Sequence, residues 1–291
     1  MTAQTDQTEC SDWGKADFHA IYNCPDPRAY FSTLAPLQYQ VPHHAQAVFR
    51  TLLATLGPLR TGGAPLTVLD LCCSYGINAA LLNHEVTLAE LYERYTDGEL
   101  SAVPAAGLAA ADRAYFAERR RPDAVHVVGL DAAPQAVGYA RSVGLLEHAF
   151  AENLEDHQPS EALRRGVAGT HLITVTGGLG YIFTRTFIRL FDCLSAPPWI
   201  AAFVLRTISY QPVVDLFTEA GLVTEKLDGH TFRQRRFADG HERAAAFEAL
   251  GRQRLDPAGK EDDGYYHADL YLSRPSAEAA ALPMKALLPD G

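Results

Sequence analysis

At 291 residues, with 47% hydrophobic and 21% charged side chains, the chain has the bulk of a globular protein able to bury a sizeable core. A formal net charge of −10 leaves no net basic face, so neither nucleic acid nor an anionic membrane surface is expected as a partner. Five cysteines, two of them adjacent at Cys72 and Cys73, make no disulfide framework, which fits a reducing, cytoplasmic setting.

Read in chain order, the polar first dozen residues carry no charged-then-apolar leader and are expected to be frayed. Residues 25–42 (PDPRAYFSTLAPLQYQVP) hold four prolines together with Tyr30, Phe31 and Tyr39, and read as short helical or irregular pieces. A helix follows over 43–56, with Ala45, Val48, Phe49, Leu52 and Leu53 on one face. Residues 1–64 thus form an N-terminal helical lid segment ahead of a main domain over 65–275. Residues 276–291 form a tail expected to be loosely docked. No apolar run reaches membrane-spanning length.

From 65 onward strand-like and helical patterns alternate. Near-continuous apolar runs at 66–71, 125–130, 149–151, 171–175 and 200–205 suit parallel strands covered on both faces. Helical patterns separate them at 77–84, 135–143, 160–167, 186–194 and 212–220. Residues 87–122 read as two helices inserted after the first (TLAELYERY and AAGLAAADRAYFAERR). Two final strands, 222–227 and 267–272, flank a long connection with a helix over 240–253. The expectation is an α/β, Rossmann-like, seven-stranded and mostly parallel sheet whose last strand is antiparallel.

Two chemistries compete for the first strand exit, "VLDLCCSYGINAALL" at 68–82. It has the strand–turn–helix order of a nucleotide cradle, where backbone N–H groups at a helix N-terminus approach a ligand closely. It also has a small-x-Ser-x-Gly form, which would make Ser74 a nucleophile elbow served by His267 and by Asp215 or Asp228. Asp131, in "VVGLDAAPQAVGYAR", stands where a dinucleotide fold places its ribose-binding acid. It follows Gly76 by far more than the usual interval, and the 87–122 insertion accounts for the excess. Helix capping is the plainer role for both Asp70 and Asp131. In "HLITVTGGLGYIF" (171–183) a glycine-rich exit after Thr176 permits close approach to a ligand, with Tyr181 projecting beyond the strand. The runs "ERRRPD" (118–123) and "FRQRRF" (232–237) read as solvated; the second could instead hold a carboxylate in an arginine fork. No Cys/His spacing suggests a metal site.

On these residues, 68–228 resembles a class I S-adenosylmethionine-dependent methyltransferase domain. That family opens with an acid-x-Gly-x-Gly-x-Gly turn, closes strand two with an acid and ends in a strand pair. Asp70 matches the turn acid and Gly76 the third glycine, while Cys72 and Ser74 replace the first two. The resemblance implies S-adenosylmethionine as co-substrate and no metal. Asp70, Cys72, Ser74 and Gly76 would lie at its methionine end, Asp131 at the ribose and Glu152 or Asn153 near the adenine, with Ala132 after strand two and Thr176 and Gly177 at the strand-four exit as further contacts. Tyr181, with Tyr30 or Tyr39 from the lid, would face the sulfonium, since aromatic faces attract cations. Ser209, in "RTISYQP", and Asn153 are further candidates for orienting a reacting group.

Methyl transfer to a small acceptor is the implied reaction. Two other uses of the ligand stay open: its own amine attacking the γ-carbon to give azetidine-2-carboxylate and methylthioadenosine, as in azetidine-2-carboxylate synthases, or binding without turnover by a sensor.

Overall fold

The computed structural model describes residues 19–62 and 64–288. The expectation for the first dozen residues lies outside that range. A 3-10 turn at His19–Asn23 leads to α1 (Arg28–Leu34) and α2 (Val41–Arg60). Pro42 stands in the first turn of α2, where a missing N–H costs no helical bond. β1 (Thr67–Leu71) and α3 (Ile77–Asn83) come next. The insertion is built of α4 (Leu88–Thr96), the single-turn α5 (Gly98–Ser101) and α6 (Ala105–Glu118). It therefore holds three helices where the sequence suggested two; Asp97 ends α4 and its carboxylate caps α5.

The alternation then runs through β2 (His126–Asp131), α7 (Pro134–Ser142), β3 (His148–Ala151), α8 (Glu161–Val167), β4 (Leu172–Thr176), α9 (Thr184–Phe191), β5 (Trp199–Leu205) and α10 (Gln211–Glu219). β6 (Leu222–Lys226), β7 (Phe232–Arg236), α11 (Gly240–Arg252), β8 (Tyr265–Pro275), α12 (Ser276–Ala281) and α13 (Met284–Leu287) complete it.

The sheet order is β3-β2-β1-β4-β5-β8-β6, with β7 also on β8. β1 to β5 pair in parallel, and β8 runs antiparallel to β5, β6 and β7. The eleven-residue β8 is long enough to carry β6 along one half of its outer edge and β7 along the other. The Rossmann-like α/β architecture with one reversed strand is as expected, but the sheet has eight strands, not seven. β7 is the difference. Its sequence FRQRR shows no apolar alternation, yet Phe232, Gln234 and Arg235 are buried in it.

Strand side chains divide between two faces, as the period of two requires. Val68, Leu172, Trp199, Ala201 and Phe203 pack under the N-terminal and inserted helices, while Leu69, Leu71, Ile173, Val175, Ile200 and Ala202 pack on the side of α8, α9 and α10. The tail is not loose. Ala279, Met284, Leu287 and Leu288 are buried, Glu278 accepts from the Trp199 indole N–H, and the Met284 N–H donates to Glu225 at 2.9 Å. No helix among the described residues is long and apolar enough to cross a membrane.

The sheet order reverses between β1 and β4, so the crevice expected of an open α/β sheet lies beyond their C-terminal ends.

Candidate functional site

The turn after β1 is tightly constrained. Cys72 and Ser74 both adopt left-handed backbone (φ 57° and 49°), the conformation the missing glycines would have taken freely. Such residues cost roughly 1–3 kcal/mol each and persist only where their surroundings over-determine them. Here the Cys72 N–H donates to the Leu130 carbonyl at 2.8 Å, and the Ser74 N–H to Asp131 Oδ2 at 2.9 Å. The Cys72 side chain fills space that Gly178, after β4, leaves open: a Cβ at position 178 would stand 2.8 Å from Cys72 Sγ. Burial pushes the Cys72 thiol well above its usual range, which removes it as a thiolate nucleophile.

Tyr75 in the same turn clasps the N-terminal segment. Its hydroxyl accepts from the Cys24 N–H at 2.9 Å and donates to the Ile21 carbonyl at 2.8 Å. This holds Tyr22 and Asn23 over the crevice. Segment 36–40 is fixed in turn to β7, through Gln40 N–H to Gln234 O and Arg236 N–H to Leu37 O, both 2.7 Å.

Between these elements lies a cavity of about 510 Å³, within the range of small-ligand sites. Tyr39, Cys72, Ser74, Asp131, Ala132, Glu152, Asn153, Thr176, Gly177 and Tyr181, all named from sequence, line it. Three named positions do not. Ser209 is an exposed loop residue outside the cavity lining. Gly76 has φ 76°, and a Cβ there would meet Ala140 and Leu145 at 3.1 and 3.3 Å, so its bare Cα serves packing against α7. Asp70 lies just beneath the cavity, where its Oδ1 accepts from Asn78 Nδ2 and Thr174 Oγ1, both at 2.8 Å. Asn78, whose amide also donates to Thr176 Oγ1 at 2.9 Å, takes the place in the wall.

Asp131 uses both carboxylate oxygens on backbone, Oδ2 on Ser74 and Oδ1 on the Ala133 N–H at 2.9 Å. Burial raises its pKa against the lowering effect of those bonds. Glu152 accepts from the Ser160 N–H and hydroxyl, and Asn153 is engaged in a local turn with Glu155 and Asp156. Tyr22, Tyr30, Tyr39 and Tyr181 form an aromatic wall, in which the Tyr30 ring lies 5.6 Å from Tyr22 and 6.3 Å from Tyr39.

Sequence reading did not find Tyr22, Asn78, Gln234 or Arg235 in this wall. The run "FRQRRF" held the only signal for the last two. It is no solvated connection: Arg235 is 2% exposed and forked onto Glu242, also 2% exposed. The hydrolase relay is not assembled. His267 spends its ring nitrogens on Thr231 and Asp263, and Asp215 and Asp228 lie on the surface.

The residues present suit a polar, donor-bearing ligand. Asp70 Oδ2, Ser74 Oγ and Gln234 Oε1 are buried around the crevice without hydrogen-bond partners, which is costly unless a ligand supplies them. Asp70 registers that cost, since burial pushes its pKa up to about 6 from 3.8. Between those values the folded chain keeps a proton that the unfolded chain has released, so this group's contribution to stability falls as pH rises through the window. Asp70→Asn is expected to melt a few degrees higher than the parent at pH 8, by relief of on the order of 3 kcal/mol. That gain should vanish near pH 4, as thermal melts across pH would show.

No protein-family model matches the chain, and no curated protein sequence matches it. Among solved structures it is similar to the plantazolicin methyltransferase BpumL in complex with SAH, at 11% identity over 88% of this chain and 93% of that one, with a TM-score of 0.43. N-methyltransferase NodS from Bradyrhizobium japonicum WM9, in complex with S-adenosyl-l-homocysteine, matches at 12% identity over 78% and 87%, TM-score 0.36. The StiE O-MT domain matches at 14% over 78% and 74%, TM-score 0.38. These likenesses are of architecture at a coarse level and carry no weight in assigning the site.

Proposed function

We propose that this chain is an S-adenosylmethionine-dependent methyltransferase acting on a small acceptor. The observation that carries the reading is Asp131. It closes β2, lines the cavity and pins the left-handed turn after β1, with lone pairs left to accept the hydroxyls of a ribose. Ala132, Glu152 and Asn153 would enclose the adenine side, and the β1 turn with Thr176 and Gly177 the opposite end.

The bound co-substrate supplies a methyl group on an already activated sulfonium. The chain's part is then mostly to position and to exclude water. Tyr22, Tyr30, Tyr39 and Tyr181 would face the positive charge, each contact worth roughly 0.5–2 kcal/mol. Tyr181, which lines the cavity and is 45% exposed, would meet an entering acceptor. No histidine lines the cavity among the described residues, so no general base is assigned.

Incubating the purified protein with S-adenosylmethionine alone, and then with a panel of small amines, phenols and carboxylic acids, tests this by mass spectrometry. Expected are no turnover alone and S-adenosylhomocysteine with at least one acceptor. Methylthioadenosine with a four-membered-ring amino acid from the first incubation would overturn methyl transfer.

A further inference from the structure

β7 brings to the cavity a side chain that nothing in the parallel half of the sheet supplies. The pairing of β7 with β8 slips between Arg233 and Arg235, so Gln234 is the bulged residue. Bulges of this kind re-aim a side chain and gather beside active sites. Gln234 is 3% exposed, lines the cavity, and leaves its Oε1 buried with no hydrogen-bond partner. A buried amide oxygen in that condition is a costly defect unless something donates to it.

Its place is specific. Gly177, first residue after β4, has φ 71°, and a Cβ there would stand 2.9 Å from Gln234 Nε2 and 3.6 Å from the Tyr39 hydroxyl. Gln234 therefore closes the cavity at the β4 exit, whereas Asp131, Glu152 and Asn153 stand at the ends of β2 and β3, across β1. A second orphan acceptor serves the same end. Asp70 Oδ2 is buried and unpartnered, and Asp70 is tied through Asn78 to Thr176, the residue before Gly177. Two unsatisfied acceptors, one on a carboxylate, call for a ligand group rich in N–H donors and positive in charge.

We infer that Gln234, presented by the β7 bulge, receives the ammonium of the amino-acid end of S-adenosylmethionine, with Asp70 supplying the complementary charge beneath it. This rests on the co-substrate reading above and adds to it a residue from a strand outside the expected seven. Gln234 is then a binding determinant for the amino-acid moiety, and the fixing of segment 36–40 onto β7 keeps Tyr39 and Gln234 in register.

Titration calorimetry on the full chain with two probes tests it: S-adenosylhomocysteine, which carries the amino-acid end, and 5′-methylthioadenosine, which lacks it. Gln234→Leu keeps the side chain's bulk and removes its polar atoms. It should weaken S-adenosylhomocysteine by tenfold or more and leave methylthioadenosine within about twofold. The unchanged second probe shows that the variant's cavity is intact. Gln234→Glu, which retains an acceptor oxygen, should recover most of the loss. Equal weakening of both probes by Gln234→Leu, or of neither, would overturn the role of Gln234 alone. Failure of the parent protein to bind either probe would overturn the co-substrate reading, and this inference with it.

Discussion

Asp131→Ala is expected to abolish measurable binding of S-adenosylhomocysteine, a loss of about 100-fold or more. A hydrogen bond to a charged group contributes about 1.5–3 kcal/mol, and a ribose would take two from this carboxylate. The substitution also strips the acceptor from the Ser74 and Ala133 N–H groups, and the Ser74 bond helps hold the left-handed turn. Ligand-free thermal melting separates the two effects. Asp131→Asn keeps one acceptor oxygen for the Ser74 N–H but sets its amide NH2 against the Ala133 N–H, so it should melt between Asp131→Ala and the parent while binding at least tenfold more weakly than the parent. Burial has already raised the Asp131 pKa, so the parent's affinity should fall on mild acidification, as the carboxylate takes up a proton. Calorimetry across pH with 5′-methylthioadenosine, which keeps the ribose and lacks the ammonium that Asp70 would face, reads this; an affinity indifferent to both the substitution and pH would remove Asp131 from the ligand.

The reasons that made Asp131 legible from sequence explain what was not. Parallel strands covered on both faces are written as apolar runs, so β1, β2, β4 and β5 and the residues at their exits could be placed without coordinates. Asp70, Cys72, Ser74, Asp131, Thr176 and Gly177 all follow from that pattern. The distinction between lining the cavity and supporting it does not. Asp70 lies in β1 and Asn78 in the first turn of α3, and which of them faces the cavity depends on the turn between them. Ser209 follows β5 in the right direction, yet its loop carries it to the surface.

The N-terminal and C-terminal contributions were least legible, because each is polar or aromatic for reasons that only tertiary structure supplies. Tyr22 reads like any surface tyrosine until the Tyr75 hydroxyl is seen to hold its segment down. The "FRQRR" run reads as solvated, since arginine is rarely buried unless paired. Its partner, Glu242, is seven residues on, in the first turn of α11, and a Glu there would otherwise pass as an ordinary acid favouring a helix N-terminus. Docked against this pair, the run becomes a strand and delivers Gln234.

That dependence sets the largest expected stability effect. Arg235 donates to both carboxylate oxygens of Glu242, which also accepts from the Ala238 N–H at 2.6 Å, and the guanidinium carbon lies 4.9 Å from the Tyr266 ring centre. Glu242→Ala removes the charge partner of a buried guanidinium in the cavity wall and should cost about 3–5 kcal/mol, seen as a fall in melting temperature of roughly 5–8 °C. The pair itself need not be strongly stabilising, because desolvation offsets much of its attraction. The double variant Arg235→Met, Glu242→Leu should therefore melt well above Glu242→Ala and near the parent. Ligand binding would not return with stability if the ion pair also sets the β7 bulge. In that double variant S-adenosylhomocysteine should stay weakened while methylthioadenosine binds as before. A double variant as unstable as the single one would mean that α11 and β7 are held by this ion pair and not by the packing around it.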